Sequence, residues 1–154
     1  ALQKKAISSI NLQEVSNSCF GFIASTINED TGQEENQNFT VISKNTRLPA
    51  EHKEMFYTKH DGQTAVNCRV TQSTHEETNI NYVSIEWEGA LDGLPSGRPA
   101  GQEIEVTYSF NESEQMGCTF KDTASGVEKS ITISVSAAQI EEGEDSALED
   151  LLID

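Results

Sequence analysis

VISKNTRLPAEHKEMFYTKHDGQTAVNCRV, residues 41–70, reads as three short strands separated by two turns. Val41 and Ile42 end the first strand, and Asn45-Thr46-Arg47-Leu48-Pro49 turns the chain. Met55–Thr58 is the second strand. Lys59-His60-Asp61-Gly62 reads as a tight turn, because an Asp-Gly pair supplies the backbone conformations a hairpin needs. Ala65–Val70 is the third strand, where Val66, Cys68 and Val70 alternate with Asn67 and Arg69.

The same period of two extends outward in both directions. Ser18–Ala24 places Phe20 and Phe22 on one face, with Gly21 between them permitting close backbone approach. Thr26–Asn38 is polar, acidic and rich in turn formers, so it is expected to be a loop, as is Thr71–Asn81. Tyr82–Glu88 puts Val83, Ile85 and Trp87 on one predicted apolar face. Gly89–Gly101 is loop by composition. Ile104–Phe110, Met116–Phe120 and Ser130–Ser136 alternate in the same way, with turns at Asn111–Gln115 and Asp122–Gly126. About eight strands at hairpin spacing, with no long helix between them, predict an all-β fold, an antiparallel β-sandwich.

Three segments follow from this pattern. Ala1–Glu14 is a lead-in, Val15–Ser136 the sandwich, and Ala137–Asp154 a short acidic tail in which Leu148, Leu151 and Leu152 could form one face of a helix. The chain of 154 residues is long enough to bury one core. It opens at Ala1 without Met, as a piece of a longer protein would.

A net charge of −16 argues against nucleic acid and anionic membrane surfaces as partners and favours peptides with basic flanks. No apolar run is long enough to span a bilayer, and the start carries no secretory signal pattern. Cys19, Cys68 and Cys118 are odd in number, widely spaced and lie at apolar strand positions. They read as small buried hydrophobes in a reducing compartment, the cytoplasm, and no pair has metal-ligand spacing. His52, His60 and His75 sit in polar, loop-like segments, and no nucleophile sits in a recognisable motif. No catalytic residue, metal site or cofactor site is expected in this chain.

Asn45-Thr46-x-Leu48-Pro49, Phe56-x-Thr58 and Asp61-x-Gln63-Thr64-Ala65-Val66 resemble the heart of the substrate-binding β-domain of the DnaK, or heat shock protein 70, chaperone family. Ile104-Glu105-Val106-Thr107-Tyr108, Phe120-Lys121-Asp122, Ser125-Gly126 and Ile131-Thr132-Ile133 continue the likeness in order and spacing. The sequence departs from the family pattern in its linker, Ile10-Asn11-Leu12-Gln13, where only alternate positions are apolar, and at Asn17, where the family usually has proline. The resemblance implies a groove for extended hydrophobic peptides or unfolded proteins. Its central pocket would be lined by Phe22, Phe56, Val66, Cys68 and Ile104. Ala24, Ser25, Tyr57, Lys59 and Gln63 would lie against the peptide backbone, with Ser25 and Lys59 at the family's arch. ATP would act from a separate ATPase domain, co-chaperones would be partners of the full-length protein, and the family's helical lid is absent or truncated here.

Two other classes compete with that reading. One is a docking or regulatory sandwich that keeps the fold and has lost the groove. The other is a carbohydrate-binding or adhesion sandwich, which would want exposed aromatics, whereas Trp87 falls on an apolar face. An uncovered groove and edge strands also invite self-association, with Leu148–Ile153 of a neighbour as a candidate insert.

Overall fold

The computed structural model describes residues 14–135. The acidic tail with its leucines, and the linker residues Ile10–Gln13, lie outside them. Eight strands follow in order: β1 Cys19–Ile27, β2 Glu34–Ile42, β3 Ala50–Tyr57, β4 Val66–Ser73, β5 Ser84–Leu91, β6 Glu103–Phe110, β7 Gln115–Asp122 and β8 Glu128–Ser134. They form two antiparallel four-stranded sheets, ordered β2-β1-β4-β5 and β3-β6-β7-β8. The β-sandwich expected from periodicity is therefore the fold.

Alternation builds the core. Ile104, Val106, Tyr108 and Phe110 on β6 are buried, as are Met116, Cys118 and Phe120 on β7. Phe20, Phe22, Cys68 and Val70 meet them from the other sheet. Tyr108 is fully buried, and its hydroxyl donates to the Gly21 carbonyl at 2.6 Å, joining the two sheets through the core. Gly21 sits where the β1–β2 register shifts. A Cβ there would lie 2.6 Å from the Phe39 carbonyl oxygen, so only glycine lets the strands approach.

Several sequence expectations are corrected. β3 and β4 belong to different sheets, so the Asp61-Gly62 segment is a connection between sheets and not a hairpin turn. Gly62 does take a left-handed φ of 71°, as an Asp-Gly pair suggests. The expected loop Thr26–Asn38 is mostly strand, with its turn confined to residues 28–33. There Asn28 Oδ1 accepts from the Asp30 and Thr31 amides, a side-chain turn that frees both flanks to pair. β4 likewise runs on to Ser73. His52 lies on β3, not in a loop, with its Nδ1 3.0 Å from the Val41 carbonyl oxygen. Ile85 is 49% exposed rather than on a buried face, because a register shift at Val70/Thr71 breaks the β5 alternation.

Candidate functional site

A splay within the first sheet creates the main cleft. β1 pairs with β2 along Phe20–Ile27 but with β4 only over Cys19–Phe22. Beyond Phe22 the two strands part, and residues 23–27 of β1 have no strand partner on that side among the described residues. The Val66–Arg69 half of β4 pairs only with β5. Unpaired strand edges of this kind present backbone donors and acceptors at which an extended chain can add.

The cleft has a volume of about 830 Å³. Its floor is apolar. Phe22 and Ile104 line it at 2% and 1% exposure, below half-buried Phe56 and Val66. The Phe22 and Phe56 rings lie 4.8 Å apart, and Phe39 meets Phe56 edge-on at 5.7 Å. Its rim is polar and includes Ser25, Lys59, Gln63 and Arg69.

Of the pocket residues expected from sequence, Phe22, Phe56, Val66 and Ile104 come together on this cleft, and Cys68 does not line it. Cys68 is fully buried in the core, with its thiol 3.7 Å from the Val66 carbonyl oxygen. Burial pushes its pKa up to about 11, and that of Cys118 to about 12. Cys19 is buried as well, and all three cysteines are free. The backbone-contact candidates Ala24, Ser25, Tyr57, Lys59 and Gln63 all line the cleft.

Two of these candidates are already engaged. Gln63 Oε1 accepts from the backbone amides of Lys59 at 2.8 Å and His60 at 3.2 Å, while its Nε2 donates to the Ala65 carbonyl at 2.9 Å. The amide thus holds the β3–β4 loop in shape. Lys59 Nζ lies 3.4 Å from Glu34 Oε1, an ion pair joining that loop to the start of β2. The β3–β4 loop is also stitched to the β5–β6 loop: the Gly62 amide donates to the Arg98 carbonyl at 2.7 Å and the Ala100 amide to Asp61 Oδ1 at 2.9 Å. Arg98 in turn forks onto both carboxylate oxygens of Asp122 at the end of β7. This side of the cleft is pre-organised by the fold.

Residues 28–151 match the family described as Hsp70 protein. That is most of the chain. The chain belongs to the Hsp70 family. Among curated relatives it is similar to "Heat shock 70-related protein 1, mitochondrial" of Leishmania major, at 33% identity over 106 residues, 66% of this chain and 16% of that protein. It is similar to "Chaperone protein DnaK" of Anaplasma marginale, at 33% over 102 residues, again 66% of this chain and 16% of that protein. It is also similar to the protein of the same name from Burkholderia cepacia, at 32% over 110 residues, 71% of this chain and 17% of that protein. The matched segment is thus about one sixth of the relatives' length.

Within this Hsp70 domain, sequence reasoning missed Phe39, Glu34 and Arg69. Glu34 falls in Thr26–Asn38, which composition reads as loop, and Phe39 lies just beyond it in the run Phe39-Thr40-Val41-Ile42, a strand signal. Arg69 alternates outward between buried Cys68 and Val70, and alternation alone does not bring it to the cleft. Among the described residues there is no group of three or more His, Cys, Asp or Glu that could hold a metal, and no helix is long and apolar enough to cross a membrane.

Proposed function

We propose that this Hsp70-family domain binds extended hydrophobic segments of unfolded proteins in the cleft between β1 and β4. The observation that carries the reading is the splay itself. An apolar floor at Phe22, Phe56, Val66 and Ile104 lies beside an unpaired β1 edge. A peptide strand there would satisfy its backbone at the edge and drop alternate side chains toward the floor. One Leu-sized side chain buried on that floor contributes about 1.5–3 kcal/mol, and each main-chain hydrogen bond about 1 kcal/mol. After the cost of ordering the peptide, a Kd on the order of micromolar follows.

Cys68 supports the floor from beneath and makes no contact with the peptide. The domain itself does no catalysis; ATP and an ATPase domain would act on it from the rest of a full-length chaperone, with co-chaperones as further partners. The free, buried cysteines suit a reducing compartment such as the cytoplasm.

The test is fluorescence-anisotropy titration of a labelled peptide with a leucine-rich centre and basic ends, against wild type and Val66→Phe. Saturable binding is expected in wild type. The larger side chain fills the cleft, so binding falls at least about tenfold, while the variant still melts cooperatively. Absence of saturable binding to any extended peptide would instead support a docking module that kept only the fold.

A further inference from the structure

Two arginines in this domain share an unusual feature. The Nε atoms of Arg69 and Arg98 are both sealed from solvent without a hydrogen-bond partner. Their outer nitrogens have different surroundings. Arg98 closes its fork on the two oxygens of Asp122, a complete bidentate pair inside the protein. Among the described residues, Arg69 has no carboxylate within 4.0 Å. Its cross-strand neighbour is Glu88, which is exposed, and the two form no ion pair. Arg69 lines the cleft one residue beyond the point where β4 leaves β1.

The charges around it favour an incoming anion. Lys59 also lines the cleft and is already tied to Glu34. Glu54, the acidic residue of the lining, comes from β3 in the opposite sheet. A guanidinium whose Nε is sealed from water gains most from a planar partner that accepts two hydrogen bonds from its outer nitrogens, as a carboxylate does.

We propose that Arg69 is a specificity-determining residue that pairs with a carboxylate of the bound segment, placed beside the side chain that occupies the apolar floor. The inference rests on the peptide-binding reading of the cleft. The carboxylate belongs to an Asp or Glu side chain or to a free chain terminus. The preference is local and runs opposite to the field of the whole molecule, whose net charge of −16 repels acidic peptides at long range. A segment with one acid at the Arg69 end and bases elsewhere satisfies both.

The experiment compares three leucine-centred peptides: an amidated series with a single Glu walked along the flank, the same series with Gln, and the Gln series with a free C-terminal carboxylate. Each is titrated by anisotropy against wild type, Arg69→Gln and Arg69→Lys, in the same buffer. Comparing the Glu-to-Gln ratio between wild type and each variant removes the long-range repulsion, which acts on the Glu peptide nearly alike in all three proteins. In wild type one Glu position, or the free terminus, binds about tenfold tighter than its neutral counterpart. Arg69→Gln loses that ratio, each protein being read against its own neutral peptide, and Arg69→Lys, a point charge without the fork, keeps part of it. Whichever arm carries the preference identifies the source of the carboxylate. Neutral peptides that bind, with the same Glu-to-Gln ratio on all three proteins, would overturn the Arg69 assignment and leave the groove standing. If no peptide of any charge binds, the groove reading and this inference fall together.

Discussion

Among the described residues, Asp122 is the most enclosed carboxylate. It is fully buried, accepts from Arg98 with both oxygens, and takes the Ala124 and Ser125 amides at 3.1 and 3.2 Å on Oδ1. The Arg98 hydrogen bonds dominate and hold its pKa below the ordinary carboxylate value, against the opposing effect of burial. A depressed folded-state pKa means the charged form is preferred in the native state. The associated stability is present above the unfolded value of about 3.9 and is lost as pH falls through the folded value. Asp122→Asn removes the charge and leaves the Arg98 guanidinium without its counter-ion, so we expect a loss of about 3 kcal/mol in urea unfolding at pH 7. The wild type should also lose more stability than the variant between pH 5 and pH 2, within about one pH unit of those limits. Equal pH slopes for the two proteins would show that the pair does not carry the acid sensitivity. The same residue also turns β7 into β8, because its carbonyl accepts the Gly126 amide at 2.8 Å.

At the scale of the element, β1 does two incompatible things along nine residues, and the change comes after Phe22. Its first half is a central strand between β2 and β4; its second half is a cleft wall with one edge open. Gly21 lets β1 close on β2 at the register shift while its carbonyl receives the Tyr108 hydroxyl from the other sheet. Gly21→Ala would place a methyl group against the Phe39 carbonyl oxygen and the Asn38 side chain, both part of the backbone and polar packing of β2. We expect a cost of about 1–3 kcal/mol, read as a lower thermal midpoint, with weaker peptide binding because the cleft wall moves with β1. An unchanged midpoint would mean that β2 can yield at this point. Asn38 is well anchored: it is buried, bonds the Thr71 hydroxyl, and donates from Nδ2 to the Glu77 carbonyl at 2.8 Å. That network ties β2 to β4 and to the loop after it, so the strain has little room to relax. The edge strand β3 is managed differently. It is mostly exposed and carries Glu51, Lys53 and Glu54, charges that discourage pairing with another sheet edge.

For the whole molecule, on the peptide-binding proposal, charge would govern encounter and shape would govern retention. The net charge of −16 sets up a field that draws basic-ended peptides toward the domain. Their association rate should fall by about tenfold between roughly 0.05 and 0.5 M salt, with a smaller change in dissociation rate, measured by stopped-flow anisotropy. Association rates that do not respond to salt would remove the acidic surface from the account of binding. Retention depends on the cleft and on the loops that hold it. The β3–β4 and β5–β6 loops are linked to each other, and Arg98 links them to the second sheet through Asp122. The cleft wall is thus continuous with the buried core, the arrangement needed for a rigid binding edge.

Period-two alternation was enough to establish eight strands, two buried faces and an all-β sandwich, because each strand buries one face and wets the other whatever its partners are. The same reasoning placed all three cysteines inside, and the spaced motifs around Asn45–Val66 and Ile104–Ile133 carried the Hsp70 likeness. The resemblance, and not alternation, singled out Phe22, Phe56, Val66 and Ile104, which the fold brings together on the cleft from both sheets. Periodicity could not say which strand pairs with which, since an Asp-Gly turn looks the same in a hairpin and in a connection between sheets. It could not see the register shift that exposes Ile85, nor the Asn28 turn that converts a polar stretch into two paired strands. Cys68 and Val66 share a face by parity and both lie beyond the last β1–β4 pair, Phe22–Val70, yet Cys68 is fully buried in the core and Val66 lines the cleft. The splay, the open β1 edge and the unpaired Arg69 arise from where strands part company. That is decided by contacts between residues far apart in the chain.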